Sequence, residues 1–186
     1  MNILDLPTDT LIFVASLSEN PMGLECTCTA LRTASLSATH RLVKLKNPPG
    51  GKLARFIATH RVRRMDISFF GAKEDAMIES LEIAAASGKT DRNVRFLSLR
   101  FPRNTAIKKS VTTLLCVDTV FPALRTLAIY AYGLQTPEFV VFPDAPRFSA
   151  LVKVVAFCRE SGANGNVEFI LGRRLPKLEK LGVVHV

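Results

Sequence analysis

The feature that most constrains the fold of this chain is a six-residue pattern that recurs through most of its length. Each copy holds an apolar residue, two variable residues, a second apolar residue, one variable residue and a third apolar or small residue. The copies begin at Val62, Val94, Leu124, Leu151 and Leu178, with a weaker copy at Leu42. The five stronger copies follow one another at steps of 32, 30, 27 and 27 residues. Repeats of this period indicate structural units that stack to complete a shared core.

Each copy has the alternation of a short strand. The fourth and sixth positions, such as Met65 and Ile67, are predicted to face the core, while the intervening positions face the opposite side. Apolar residues with helical spacing between copies predict helices near residues 74–86 and 106–117. Strand followed by helix at this period predicts neighbouring parallel strands in chain order, with the helices on one side of the sheet.

The later connectors differ from the first two. Pro137, Pro143 and Pro146 exclude a regular helix across residues 135–148, where we expect an extended or irregular segment. Glycine and asparagine residues then form a turn cluster at 162–166. The sequence predicts a short helical stretch after that cluster, near Val167–Arg173.

The repeated pattern resembles leucine-rich repeats over roughly residues 42–186. That resemblance implies an α/β solenoid with parallel strands and about five repeats. Leucine-rich repeats usually carry Asn or Cys at the ninth position, and the repeats here are divergent at that position. It holds Phe70, Pro102, Tyr132, Arg159 and Val186. The alternative is an ordinary compact α/β domain made of βα units.

The first 35 residues differ in character from the rest of the chain. One arginine against four carboxylates gives residues 1–35 a net charge of −3, whereas 16 basic against 6 acidic residues give residues 36–110 a net charge of +10. Helical spacing in two apolar sets, around Leu11 and around Cys28, predicts two short helices separated by a break at Asn20–Gly23. We therefore divide the chain into a helical segment, residues 1–40, and a repeat segment, residues 41–186.

The helical segment resembles an F-box. The matching residues are Leu6, Pro7, Asp9, Leu11, Ile12, Val14, Leu17, Cys28, Leu31 and Arg32. An F-box before leucine-rich-like repeats implies a substrate-recognition subunit of a cullin-RING (SCF-type) ubiquitin ligase, which binds the Skp adaptor and a target protein. The resemblance assigns adaptor binding to Leu6, Pro7, Leu11, Ile12, Val14, Leu17 and Leu31. The alternative is a helical cap on the first repeat, which would make the chain a stand-alone interaction scaffold without a ligase role.

The exposed strand positions supply the candidate target-binding surface, because they mix apolar and basic side chains. The candidates are Arg64, Phe96, Arg100, Tyr130 and Phe157. We expect the three aromatic residues to lie on adjacent strands as one continuous patch, with the two arginines at one edge. Such a mixture favours a protein partner over a phosphate backbone. A basic nucleic-acid-binding module remains the third hypothesis, because arginines cluster at 61–64 and 92–103.

The sequence contains no motif that predicts catalysis. The run from Ser87 to Thr90 resembles the end of a phosphate-binding loop, but that motif requires glycine where Ile83 stands. There is no Gly-x-Ser-x-Gly or His-Glu-x-x-His motif. The three histidines and four cysteines lack the spacing of a structural zinc site. We expect a non-enzymatic protein without catalytic residues, metal or cofactor.

No stretch of about 18 uninterrupted apolar residues occurs, so the sequence predicts no membrane span. The N-terminus lacks the basic-then-apolar order of a secretory signal. We therefore expect an intracellular protein of the cytoplasm or nucleus.

Overall fold

A computed structural model describes residues 6–25, 27–69, 74–100, 110–134, 138–141, 148–160, 167–170, 175 and 177–185. The helices are α1 (Thr8–Ser16), α2 (Pro21–Glu25), α3 (Thr29–Ser37), α4 (Gly50–Thr59), α5 (Glu74–Ala86) and α6 (Ser110–Val120). The strands are β1 (Thr39–His40), β2 (Val43–Lys46), β3 (Arg61–Val62), β4 (Arg64–Ser68), β5 (Phe96–Arg100), β6 (Thr126–Leu134), β7 (Glu138–Val141), β8 (Lys153–Glu160), β9 (Val167–Ile170) and β10 (Lys180–His185). Among these residues, no helix has both the length and the apolar character needed to cross a bilayer.

The fold is mixed α/β and is organised by a six-stranded sheet with the order β10-β8-β6-β5-β4-β2. Every neighbouring pair in this sheet is parallel. All six copies of the repeated pattern supply one strand each, and the strands lie side by side in chain order. The predicted parallel order is therefore confirmed. Two small parallel pairs, β1 with β3 and β7 with β9, accompany the sheet.

Register places equivalent motif positions beside one another across the sheet. Met65 lies beside Leu97, Leu97 beside Leu127, and Leu127 beside Val154. All four side chains are fully buried. The same alignment recurs two residues further along each strand. This second inward row consists of Ile67, Leu99, Ile129 and Ala156. One face of the sheet thus forms the core, and the other face carries the positions predicted to point outward.

Helices cover the core face. α4 packs beside α5, and α5 packs beside α6. The helix predicted near 74–86 is α5, with Met77, Leu81 and Ala84 buried against the sheet. The helix predicted near 106–117 is described from Ser110 to Val120, and residues 106–109 lie outside the described part of the chain. Helix α4 was not predicted from the sequence.

The outer layer changes from helix to strand after α6. β7 contacts α6 and pairs with β9. β7 lies within the segment expected to be extended or irregular. The helical stretch predicted near Val167–Arg173 is wrong over its described part, because Val167–Ile170 is strand β9. Valine, phenylalanine and isoleucine favour strands, and β7 supplies the hydrogen-bonding partner that a single-chain pattern cannot reveal.

The N-terminal segment holds three helices rather than the two predicted. Pro21 does not end helical structure but begins α2, where its missing N–H costs no hydrogen bond. Cys28 precedes α3, and its thiol accepts the Leu31 N–H at 3.5 Å as an N-cap. The second predicted helix is therefore divided, with Leu24 in α2 and Leu31 in α3.

The helical segment has its own small core and is also attached to the sheet. Leu11, Ala15, Leu31, Ala34 and Ala38 form an apolar cluster distinct from the main core. The Arg41 amide donates to the Ser16 carbonyl, and the Lys44 amide donates to the Glu19 carbonyl, both at 3.1 Å. The second bond satisfies one amide on the free edge of β2. The division at residue 40 falls between β1 and β2, although β1 pairs with β3 of the second part.

Candidate functional site

The outward face of the sheet carries a row of interacting side chains where the central strands approach their ends. Register aligns Ser68, Arg100, Tyr130 and Phe157 on four neighbouring strands. The Tyr130 and Phe157 rings stack, with centroids 4.5 Å apart and planes inclined by 9°. The Arg100 guanidinium carbon lies 4.8 Å from the centroid of the Tyr130 ring. A cation and two aromatic rings thus form one continuous surface across β5, β6 and β8.

A carboxylate on the neighbouring strand orients the arginine. Arg100 donates to Asp66 through Nε at 3.3 Å and through Nη2 at 3.1 Å. The Ser98 hydroxyl donates to the same carboxylate at 3.1 Å. The pair is partly buried, with 35% of the Arg100 side chain and 15% of the Asp66 side chain exposed. The main effect of these hydrogen bonds is to hold the guanidinium plane over the tyrosine ring, so that the surface is formed before any partner arrives.

Phe96 lies elsewhere on the same face. Its register partners are Arg64 and Thr126, and the Arg64 guanidinium carbon lies 4.6 Å from its ring centroid. Phe96 precedes Arg100 by four residues on β5, which separates their backbones by about 13 Å. The single patch of three aromatics is therefore not formed, and Arg64 and Arg100 lie at opposite ends of the face. The motif contains the signal for this, because Phe96 occupies its third position and Tyr130 its seventh.

Between these two ends, the side chains of the outward face become smaller and less polar from β4 towards β10. The middle row passes from Asp66 and Ser98 to Ala128, Val155 and Gly182. A Cβ added at Gly182 would meet nothing within 4 Å. Ala128 is only 2% exposed, and Val155 and Gly182 are partly buried, so this part of the face is apolar and lined by small side chains.

The residues assigned to adaptor binding divide into core and surface. Leu11 and Leu31 are only 5% and 9% exposed, because they form the core of the helical segment. Leu6, Ile12 and Val14 are half-buried, and Pro7 is exposed. Leu17 is 50% exposed. A surface role for Leu11 and Leu31 is thus incompatible with their burial in the isolated chain.

Two exposed apolar residues of this segment were not identified from the sequence. Phe13 on α1 is 56% exposed, and Leu36 on α3 is 37% exposed. Helical spacing supplies a signal for the first, because Phe13 and Leu17 are four residues apart and share a helix face, whereas Leu11 and Ala15 share the buried face. Phe13, Leu17 and Leu36 are called the helical apolar surface below.

The side chains of His40, His60 and Cys116 pack in the protein interior. No cluster of three or more His, Cys, Asp or Glu side chains suited to a metal ion occurs among the described residues. The buried His60 ring stacks on Phe56 at a centroid distance of 4.3 Å and lies 5.7 Å from the ring of buried His40. Burial, with a smaller contribution from the Glu82 carboxylate, raises the pKa of the Cys116 thiol, which makes it a poor nucleophile.

Asp91 is a buried carboxylate in the turn before β5. Its Oδ1 accepts the Asn93 N–H at 2.7 Å, and its own amide donates to the Val120 carbonyl at 2.8 Å. Burial raises the pKa of this carboxyl, and the bonds from Asn93 offset the effect only in part. The residue fastens the turn to the end of α6 and does not face the outward sheet surface described above.

Comparison with known proteins adds no family assignment. The chain matches no family model, and no curated protein or solved structure has significant similarity to it.

Proposed function

We propose that this chain is an F-box-type substrate receptor of a cullin-RING ubiquitin ligase. In this proposal, the N-terminal helices bind the Skp adaptor, and the outward sheet face binds the protein to be modified. The protein acts by recognition rather than by catalysis, and it works in the cytoplasm or nucleus, where such ligases operate.

The observation that carries the proposal is the helical apolar surface. Phe13 and Leu17 remain half or more exposed although the helices already close their own core with Leu11, Ala15 and Leu31. Large apolar side chains that share an exposed helix face are typical of a surface that another protein covers. The surface lies on the segment whose sequence resembles an F-box.

The sheet supports the second half of the proposal. Six parallel strands in chain order, with one repeat per strand, are the arrangement expected of a leucine-rich-repeat-like solenoid, and we propose that architecture for residues 41–186. The ordered stack of Arg100, Tyr130 and Phe157 has the residue types that dominate protein interfaces. Together these features favour a rigid surface for a protein target.

Copurification with the Skp adaptor and cullin tests the proposal. We expect the wild-type chain to capture both, and the Phe13→Asp/Leu17→Asp variant to lose them, because unpaired carboxylates would be buried in an apolar contact. Ala58→Asp/Ala86→Asp is the matched control, since both residues are exposed on the outer helices α4 and α5. Failure of the wild-type chain to bind the adaptor, or undiminished binding by the double variant, would contradict the F-box assignment.

A stand-alone scaffold is the second candidate, and a specific observation favours it. The bond between the Lys44 amide and the Glu19 carbonyl, with a 2.6 Å ion pair between their side chains, attaches the helical segment to the first edge of the sheet. A cap of this kind protects a stacked fold without any adaptor. Target capture by a chain that binds no adaptor would support this candidate.

A further inference from the structure

Three arginines lie side by side at the end of the sheet where the strands begin, one just before each of β4, β5 and β6. The Arg95 amide donates to the Arg63 carbonyl at 3.0 Å, and the Arg125 amide donates to the Arg95 carbonyl at 2.9 Å. Their backbones are thus adjacent rungs, about 4.8 Å apart. All three side chains are exposed. In the sequence these arginines are 32 and 30 residues apart, so only the fold brings them together.

The row continues from Arg125 through Val152 to Glu179, whose amide donates to the Val152 carbonyl at 2.9 Å, and further cations lie beside its arginines. Arg64 and Lys153 are exposed in the next row of the outward face. Within the part of the chain that the structure describes, no carboxylate forms an ion pair with Arg63, Arg95 or Arg125. Arg95 instead donates through Nη1 to the Ala123 carbonyl at 2.9 Å, which orients its side chain. We call Arg63, Arg95 and Arg125 the basic edge.

The basic edge and the aromatic stack lie at opposite ends of the strands. Arg125 precedes Tyr130 by five residues, so the two ends are about 16 Å apart along the strands. Tyr130 and Phe157 form the apolar end. A single partner segment that covers the face therefore meets positive charge at one end and aromatic surface at the other.

We propose that the target segment is an acidic–apolar stretch of protein, with carboxylates on the basic edge and large apolar side chains on Tyr130 and Phe157. This inference rests on the proposed function, in that it gives the chemistry of the target. In an extended segment, about five residues separate the two groups, because each residue advances about 3.3 Å. Like-charged arginines in adjacent rungs repel one another, and carboxylates of the partner relieve that repulsion.

A nucleic acid fits the same face less well. The Asp66 carboxylate lies between the two ends, in the middle row, where a phosphate backbone crossing the face would meet it. The Tyr130 and Phe157 rings already stack on each other, which occupies one face of each ring that a base would need. Both features favour a protein segment whose charge is confined to one end.

Fluorescence anisotropy with defined probes tests the inference. The first probe is a labelled peptide with three glutamates, a Ser-Gly linker and a Leu-Phe end, and the second has lysines in place of the glutamates. Single-stranded oligothymidylate is the third. The variants are Arg63→Glu/Arg95→Glu/Arg125→Glu, the control Lys52→Glu/Arg55→Glu/Lys89→Glu with the same charge change at exposed positions on and after the outer helices, and Tyr130→Ala/Phe157→Ala.

We expect the wild-type chain to bind the acidic–apolar peptide and not the lysine peptide. Reversal of the basic edge should weaken binding by about tenfold or more and reduce its salt dependence, because several exposed ion pairs are replaced by repulsion. The control triple should change affinity by about twofold at most, since distant charges are screened. Tyr130→Ala/Phe157→Ala should weaken binding without changing the salt slope.

Three results would overturn the inference: no binding of the acidic–apolar peptide, equal losses in the two triple variants, or tighter binding of oligothymidylate that disappears when the basic edge is reversed. The adaptor assay uses a different surface, so the two failures are distinguishable. Peptide binding without adaptor capture would reject the ligase role and support the target chemistry. Adaptor capture without peptide binding would support the ligase role and reject the proposed target chemistry.

Discussion

The ring of Tyr130 lies parallel to the ring of Phe157, with 4.5 Å between their centroids, although the two residues are 27 positions apart in the chain. Each ring covers part of the other, and the Arg100 guanidinium continues the stack. The surface therefore owes its shape to strand register rather than to local sequence. That relationship makes a measurable prediction about coupling.

Double-mutant cycles in urea unfolding should detect the stack. We expect Tyr130→Ala and Phe157→Ala to be coupled by about 0.5–1.5 kcal/mol. Either single change already removes the ring–ring contact, so the double variant loses less stability than the sum of the two single variants. Phe96→Ala with Phe157→Ala is the matched control. The register separates Phe96 from that row, so these two changes should be additive to within about 0.5 kcal/mol. Equal coupling in both cycles would refute the observed register.

Core and surface positions of α1 should respond very differently to a buried charge. Leu11→Asp should lower the free energy of unfolding of the helical segment by about 3 kcal/mol or more, because Leu11 is only 5% exposed within a small core. Phe13→Asp should change it by about 0.5 kcal/mol at most, since Phe13 is 56% exposed. Thermal unfolding followed by circular dichroism measures both. A similar loss in the two variants would show that Phe13 also belongs to the core.

This contrast also decides which variants can test adaptor binding. A change at Leu11 unfolds the segment and would abolish binding for that reason alone. Changes at Phe13 and Leu17 leave the core cluster of Leu11, Ala15 and Leu31 intact. Loss of binding in those variants therefore reports on the surface.

Asp91 should make stability depend on pH in the direction opposite to that of an ordinary paired carboxylate. Its pKa in the folded protein is raised above the usual 3.8 by burial. The folded state therefore keeps the proton over a pH range in which the unfolded chain has lost it. The contribution of Asp91 to the free energy of unfolding falls as pH rises from about 3.8 through the folded pKa and is constant above it.

Urea unfolding at a series of pH values, with Asp91→Asn as the comparison, measures this contribution. The stability of the variant relative to wild type should increase as pH rises through that range, because the amide cannot ionise. NMR titration of the Asp91 carboxyl supplies an independent check. A midpoint at or below 3.8, or a pH-independent difference between the two proteins, would contradict the expected effect of burial.

The sheet was predictable because period and alternation are local properties of the sequence. A few residues are enough to indicate the buried face of a strand, as Met65 and Ile67 do in β4 and Leu97 and Leu99 in β5. The even spacing of the repeats then places the strands side by side. Register follows from aligning the copies. The sequence therefore also contained the information that Phe96 and Tyr130 lie in different rows, once the motif positions were compared.

Other features depend on partners distant in the chain. β9 is a strand because β7 pairs with it, and neither segment carries the repeated pattern. Pro21 was interpreted as a break, yet it begins α2 because a proline is tolerated in the first turn. The basic edge could not be predicted as a site from the sequence, because Arg63, Arg95 and Arg125 become neighbours only when the strands align.

The contact between α4 and α5 depends on a glycine at the start of α4. A Cβ added to Gly50 would lie 2.7 Å from both Cβ and Cδ1 of Ile83, whereas a Cβ added to Gly51 would meet nothing within 4 Å. Gly50→Ala should therefore lower the free energy of unfolding by about 1–3 kcal/mol, because one of the helices must shift. Gly51→Ala should raise it by about 0.5–1 kcal/mol, since alanine reduces the entropy of the unfolded chain without a clash. Ile83→Ala in the Gly50→Ala background should recover little of the loss, because alanine retains the Cβ that lies at 2.7 Å. If the two alanine substitutions change the urea midpoint equally, the close approach of α4 to α5 at Gly50 is refuted.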